Sequence, residues 1–269
     1  MKGSVFKEIL RQTWPQMLYW GVGLGLMGLF IIVIVPDAAG LQAMTDFFAR
    51  MPPFLLQAVG VGDDISFLAT PEGFVTIGFF GKTLTMLALY PVLVGLRVTL
   101  FEEDNGTMDM LLSLPVPRWQ MVVEKFLAYT VTMLVIVILI FGGLWLGTQL
   151  VDYELNVGRL AVTSLNILPS MLLILAFTIL MGALIRGKKL AIGITAAFVL
   201  GSFMLDTIGD MATGTFAENI RWISFFNYYD STSVMKNGIV WGNVALLMAI
   251  TVVLLGTSLY FFQRRDVGI

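Results

Sequence analysis

The residues that could carry chemistry in this chain are few, and they form no familiar catalytic set. The sequence has no His and no Cys. Their absence removes disulfides, ordinary zinc and copper sites, Cys nucleophiles and every His-based general base or triad. The sequence also lacks a Gly-x4-Gly-Lys-Ser/Thr element, so it has no P-loop for a nucleotide. Any chemistry that this protein serves is therefore expected on another chain, with no cofactor and no metal bound by this one.

One segment between two apolar stretches, Phe101–Trp119, is patterned for contact with a partner. It opens with the acidic cluster Glu102–Asp104. Thr107 can then cap a helix whose first turn contains Asp109, a favourable place for a negative charge. Pro115 ends this helix after about two turns, because the residue before a proline resists the α conformation.

The short helix is apolar nearly all round. Its apolar residues are Met108, Met110, Leu111, Leu112 and Leu114. Such a surface is costly in water unless something covers it. Two alternatives could cover this apolar surface. The helix could lie against the protein's own membrane helices or the lipid surface. It could instead insert into a groove on a cytoplasmic partner, with the acidic cluster steering the approach.

Two charged residues, Lys82 and Asp206, lie inside apolar stretches, where an ionisable group is a functional candidate by default. Lys82 lies about eight residues from the external end of its stretch, or roughly 12 Å at 1.5 Å per residue. Asp206 is at a comparable depth, so the two could pair or line an outward cavity. The alternative is that Lys82 extends to the interface and Asp206 is simply interfacial.

The elements that must position these residues are membrane-spanning helices. Hydrophobic residues make up 58% of the 269 residues and charged residues 13%, against about 45–50% and about 25% in soluble domains. A spanning helix needs roughly 20 apolar residues. The chain has such windows at residues 17–35, 74–100, 126–151, 164–185, 190–209 and 244–262. Because these runs are continuous rather than alternating, we predict an all-α polytopic membrane protein with six transmembrane helices, forming one transmembrane domain over residues 1–269.

The basic residues favour cytoplasmic termini. With the N-terminus inside, 11 of the 16 Lys and Arg residues fall on the cytoplasmic side and 5 on the other, as the positive-inside rule requires. The net charge of −2 does not indicate a nucleic-acid partner. We therefore expect a multi-pass protein of the cell membrane, surrounded by lipid, with both termini in the cytoplasm.

The segments between the spans are expected to follow this topology. The two external loops are residues 36–73 and 210–242, and the cytoplasmic loop that contains the short helix is 101–125. The aromatic stretch Trp222–Tyr229 suggests a segment at headgroup level, either a dedicated interfacial element or a simple anchor. An amphipathic N-terminal helix is predicted to lie along the cytoplasmic surface until Pro15 redirects the chain.

The segment Glu102–Trp119 resembles the hallmark of ABC-2 type permeases, the membrane subunits of a class of ATP-binding-cassette exporters. It reads Glu-Glu-x-x-Gly-Thr-Met-x-x-Leu-Leu-Ser-Leu-Pro-Val-x-Arg-Trp. The amphipathic N-terminus, the six spans, the Ser224–Tyr229 stretch and the Arg264–Asp266 terminus are similar as well. Where many relatives have Ser-Pro-Phe, this chain has Ser-Phe-Phe at 224–226.

The resemblance implies a non-catalytic permease whose short cytoplasmic helix is a coupling helix that docks into an ATPase subunit. The candidate ATPase-coupling residues are Glu102, Glu103, Gly106, Thr107, Asp109, Leu111, Leu112, Ser113, Pro115 and Arg118. By the same resemblance, two permease copies form a homodimer and work with two copies of a cytoplasmic ABC ATPase, which binds ATP and Mg²⁺.

Small residues are the candidates for the face between the two permease copies, because they let helices approach closely. They are Gly21, Gly23, Gly25 and Gly28 in the first span and Gly142, Gly143 and Gly147 in the third. Packing within one chain is an equally good interpretation, since glycine is frequent in membrane helices.

The alternative function is an ATP-independent secondary carrier or channel. Carriers often contain inverted repeats with broken helices, which this sequence does not show. An intramembrane enzyme is less favoured still. The missing His removes a Ser-His dyad, and an aspartyl protease needs two facing carboxylates where the spans supply only Asp206.

Overall fold

The computed structural model describes residues 4–52, 55–56, 65–99, 117–185, 187–212 and 216–264. Within these ranges every regular element is a helix and none is a strand. Six segments are long and apolar enough to cross a membrane: Val5–Val33 (span 1), Pro71–Val98 (span 2), Trp119–Thr148 (span 3), Val157–Leu184 (span 4), Lys188–Met211 (span 5) and Trp241–Arg264 (span 6). The predicted all-α fold with six membrane-spanning helices is confirmed.

Two of the six spans, spans 2 and 4, consist of more than one helix. In chain order the helices are α1 (Ser4–Val33), α2 (Ala38–Phe48), α3 (Pro71–Val75), α4 (Gly81–Leu87), α5 (Leu89–Thr99), α6 (Arg118–Thr148), α7 (Val157–Leu165), α8 (Ile167–Leu184), α9 (Lys188–Met211), α10 (Phe225–Tyr229), α11 (Ser231–Asn237) and α12 (Trp241–Arg264). A π-helical turn, Thr76–Phe80, joins α3 to α4, and two 3-10 turns cover Ile65–Ala69 and Phe216–Ile223.

The N-terminal helix is present, and Pro15 does not end it. Helix α1 runs through Pro15 and includes both the amphipathic stretch and span 1. A proline removes one backbone hydrogen bond and can bend a helix without ending it. Packing against α6 holds this region in place: Thr13 is buried, and its hydroxyl lies 3.1 Å from the hydroxyl of Thr132.

Helices α1 and α6 touch backbone to backbone along a glycine seam. A Cβ atom added to Gly143 would lie 2.1 Å from the carbonyl oxygen of Gly25, and one added to Gly25 would lie 2.8 Å from the carbonyl oxygen of Leu139. At Gly21 the added atom would meet the side chain of Leu139 at 2.6 Å. For these glycines the intramolecular interpretation therefore holds, and they are not available as a dimer face.

Span 4 lies at the centre of the bundle. Helix α8 packs against α5, α12 and α9, and 78% of an 18-residue apolar stretch of the span is buried inside the protein. Its contact with α5 is close, because a Cβ atom on Gly95 would lie 2.7 Å from Cβ of Thr178. In spans 5 and 6 the corresponding stretches are only 22% and 17% buried, so these spans lie at the periphery.

Candidate functional site

The two ends of the bundle carry different polar groups. Because the chain crosses the bundle six times, the first and last described residues lie at one end, here called the terminal end, together with the connection between spans 2 and 3. The opposite end, the loop end, carries α2, α10 and α11.

The predicted coupling residues from Glu102 to Pro115 lie outside the described residues. Arg118, the last of the predicted set, is the first residue of α6. What the structure does describe is the pair of helix ends on either side of this segment, here called the frame: the end of span 2 at Val98 and the start of span 3 from Trp119.

Lys125 joins the two sides of this frame. Its side chain is only 3% exposed, and its Nζ donates a hydrogen bond of 3.2 Å to the carbonyl oxygen of Val98. A buried ammonium group is costly unless it is hydrogen-bonded. Span 3 had been predicted to start after this residue, at 126, but the helix begins at Arg118 and takes Lys125 into the protein interior.

Glu124, the neighbouring residue, joins the frame to span 1. Its Oε2 accepts a hydrogen bond of 3.4 Å from the backbone N–H of Phe6, near the start of α1. Its Oε1 accepts a bond of 2.9 Å from Nε2 of Gln120, one turn earlier in α6. The starts of spans 1 and 3 and the end of span 2 are thus connected through two adjacent residues.

A layer of buried side chains supports this frame from within the bundle. Thr13 and Thr132 join α1 to α6 as described above, and the ring of Tyr90 in α5 meets that of Trp20 in α1 edge-on, with centroids 6.1 Å apart. Tyr90 is 1% exposed. Spans 1, 2 and 3 therefore contact one another within the bundle, next to the frame.

At the loop end, Asp206 has a partner that the sequence did not suggest. Its Oδ1 accepts a hydrogen bond of 3.2 Å from Nε of Arg221, and Nη1 of the same arginine lies 2.8 Å from Oδ1 of Asp210. The aliphatic part of Arg221 passes over Gly209, where a Cβ atom would lie 2.1 Å from the arginine Cγ. One arginine from the 3-10 turn thus serves two carboxylates on the last turns of α9.

Lys82, the predicted partner of Asp206, is exposed at the start of α4. Across the described part of the chain, no ion pair within 4.0 Å joins it to Asp206. In the structure the carboxylate of Asp206 therefore pairs with Arg221, and the side chain of Lys82 lies at the surface.

The aromatic stretch at the loop end is divided between core and surface. Trp222 and Ile223 are exposed, whereas Phe225, Phe226 and Tyr229 are buried. The hydroxyl of Tyr229 donates to the carbonyl oxygen of Phe80 at 3.1 Å, at the end of the π-helical turn. Burial raises the pKa of Tyr229, so its hydroxyl stays protonated and remains a donor.

Other polar contacts fix the same region. Nδ2 of Asn166 donates to the carbonyl oxygen of Tyr229. The hydroxyl of Ser224 donates to the carbonyl oxygen of Ser202 at 2.7 Å, and the hydroxyl of Ser202 accepts from the backbone N–H of Phe225 at 3.0 Å. Helix α10 is thus attached to spans 2, 4 and 5.

Sequence reasoning missed Glu124, Lys125 and Arg221. A usable signal existed for the first two, because an acid–base pair at the start of an apolar run needs partners once the helix is buried. In the described ranges, no group of three or more His, Cys, Asp or Glu side chains could hold a metal ion.

Comparison with known proteins gives two findings. A family model described as "ABC-2 family transporter protein" matches residues 9–267. The uncharacterized protein YhcI of Bacillus subtilis (strain 168) is 21% identical over 211 residues, which are 68% of this chain and 65% of that protein. The chain thus matches just under two thirds of the length of this curated relative.

Proposed function

Because the chain belongs to the ABC-2 family of transporter proteins, we propose that it is the permease subunit of an ATP-driven exporter. Six apolar helices and the family make it a multi-pass membrane protein. Its sequence has no P-loop, so ATP and Mg²⁺ bind to a separate cytoplasmic ATPase subunit, present in two copies. This chain takes part in transport without catalytic residues of its own.

The observation that carries the proposal is the frame around segment 100–116. A segment that transmits movement from an ATPase must be attached to helices that move with it. Here one buried hydrogen bond, from Lys125 to the carbonyl oxygen of Val98, joins spans 2 and 3, and Glu124 joins span 3 to span 1. A surface loop without a mechanical role would not need this degree of attachment.

The orientation follows from charge. With the terminal end in the cytoplasm, 11 of the 16 basic residues lie on that side, which agrees with the positive-inside rule. The same orientation places the segment Glu102–Pro115 where a cytoplasmic ATPase can reach it. Arg221, Asp206 and Asp210 then lie at the external end.

We place the second permease copy, which forms a homodimer with the first, on span 5. Gly193, Ala197 and Gly201 follow one another at intervals of four on α9, the spacing that lets membrane helices approach closely. A Cβ atom on Gly193 or Gly201 would meet nothing within 4 Å among the described atoms. Span 5 is also one of the two least buried spans. The glycine seam of α1 is already occupied within the chain, which leaves this face as the better candidate.

Co-purification tests the central proposal. The tagged chain is solubilised in mild detergent from its native host, and bound proteins are identified by mass spectrometry. We expect an ABC ATPase in amounts comparable to the permease, and its loss when Gly106, Asp109 and Leu111 are replaced together. The matched control replaces Asp152 and Glu154, which are exposed at the loop end, and should retain the ATPase. If the unaltered chain never retains an ATPase, the proposal is wrong.

A further inference from the structure

Glu124 and Lys125 are adjacent residues of opposite charge, and each meets the end of a different helix. The carboxylate of Glu124 meets the N-terminal turn of α1 through the N–H of Phe6. The ammonium group of Lys125 meets the C-terminal turn of α5 through the carbonyl of Val98. Both contacts are between distant parts of the chain, so neither is a by-product of local helix geometry.

The two charges match the helix ends that they contact. The first four N–H groups of a helix have no partner within the helix, and that end carries a partial positive charge. Phe6 is the third residue of α1, so a carboxylate is the favourable group there. The last four carbonyl groups are likewise unpaired, and that end is negative. Val98 is the second-last residue of α5, so an ammonium group is favourable there.

We infer that Glu124 and Lys125 are positioning residues that make three helix ends move as one body when the coupling segment is displaced. The inference rests on the proposed function, because it needs an ATPase to move the segment. Without Lys125, a force on segment 100–116 would separate α5 from α6 locally. With it, the same force displaces spans 1, 2 and 3 together. The near-complete burial of Lys125 keeps water from competing for the carbonyl of Val98.

The experiment uses the permease–ATPase complex and one reporter at the far end of α6. Gln149 is the exposed C-terminal cap of that helix, and the chain has no cysteine of its own. Gln149→Cys is labelled on intact cells with a membrane-impermeant fluorescent maleimide, which leaves the cytoplasmic ATPase unlabelled. The complex is then purified, and the fluorescence change is titrated with MgATP in the presence of vanadate.

The test variant is Lys125→Met, which keeps the stem and removes the donor. We expect the fluorescence change at saturating MgATP to fall about fivefold or more, the lower end of usual coupling between sites. The amount of bound ATPase and its KM for ATP should stay the same, which a general loss of structure would not allow. Lys125→Arg should restore the native response. Lys7→Met removes an exposed lysine near the same end and should leave the response native.

A second variant, at Glu124, tests the inference independently of Lys125. Glu124→Met should also lower the fluorescence change at saturating MgATP, and this variant alone tests the inference if Lys125→Met fails to accumulate. If both variants respond like the native complex while the ATPase stays bound, the inference is wrong. If the unaltered chain carries no ATPase, the proposed function fails first and the inference fails with it, before any variant is compared.

Discussion

Spans 4 and 6 are similarly apolar but are used in opposite ways. In span 4 an 18-residue apolar stretch is 78% buried inside the protein, and the corresponding stretch of span 6 is only 17% buried. Both are apolar enough to cross a membrane. Apolar composition therefore determines that they lie in the membrane, but it does not determine which helices they pack against. Span 4 is enclosed by other helices of the chain, whereas spans 5 and 6 leave most of their surface for lipid or another subunit.

Neighbouring glycines repeat this contrast at the scale of one residue. Gly143 lies in the seam between α6 and α1, where an added Cβ atom would come 2.1 Å from a backbone oxygen. At Gly142 the same atom would meet nothing within 4 Å among the described residues. The packed and open surfaces thus make opposite predictions for the same substitution.

The largest effect is expected at the seam. Gly143→Ala should lower the free energy of unfolding by about 3 kcal/mol, the upper part of the range for overpacking, because two backbones must separate. Gly142→Ala, the matched control, should not lower it and should raise it by up to about 1 kcal/mol, because alanine favours a helix more than glycine does. Thermal unfolding of the purified protein in one detergent measures both. Equal stability of the two variants would contradict the close contact of α1 with α6.

The next effect tests how an open span is held to the rest of the chain. Arg221→Met leaves the carboxylates of Asp206 and Asp210 near the C-terminal end of α9, where the helix dipole also disfavours negative charge. We expect a loss of about 2 kcal/mol in unfolding free energy, less than for a fully buried pair because the site is partly exposed. Adding Asp206→Asn and Asp210→Asn to this variant should recover part of the lost unfolding free energy.

The same measurement distinguishes the structural partner of Asp206 from the predicted one. Lys82→Met should change the unfolding free energy by about 0.5 kcal/mol or less, and its effect should add to that of Asp206→Asn. A clear departure from additivity for this pair would restore the pairing expected from the sequence.

The sequence could predict the six spans because membrane insertion depends on composition over a window of residues, which a single chain displays. It could not assign the glycines, since Gly21 and Gly23 look alike until the direction of α6 is known. Arg221 was missed because its partners Asp206 and Asp210 come from another element, across a turn. The segment Glu102–Pro115, whose pattern was the best functional signal, lies outside the described residues, so its role as a coupling helix stays a prediction.

A smaller loss of stability is expected when the hydroxyl of a buried tyrosine is removed, and the tyrosine next to it supplies the control. Tyr229→Phe removes a buried hydroxyl that donates to the carbonyl oxygen of Phe80 and should cost about 1.5 kcal/mol. The hydroxyl of Tyr228 donates to the carbonyl oxygen of Trp222 at an exposed site, so Tyr228→Phe should cost about 0.5 kcal/mol or less. Chemical denaturation of the two variants gives the difference. Equal losses would mean that α10 is not attached to span 2 through Tyr229.

The smallest effect on folding is expected on the open face of span 5, where Gly201→Leu adds volume that no described atom opposes. The unfolding free energy of the single chain should not fall and should rise by up to about 1 kcal/mol, because leucine favours a helix more than glycine does. If span 5 is the face between two copies, the same substitution should prevent disulfide cross-linking between chains that carry Ala197→Cys. Phe30→Cys, on an exposed part of span 1, serves as the control and should not cross-link. Cross-linking at position 30 but not at 197 would mean that the interface between the two copies lies on span 1. The open surface of span 5 would then face lipid.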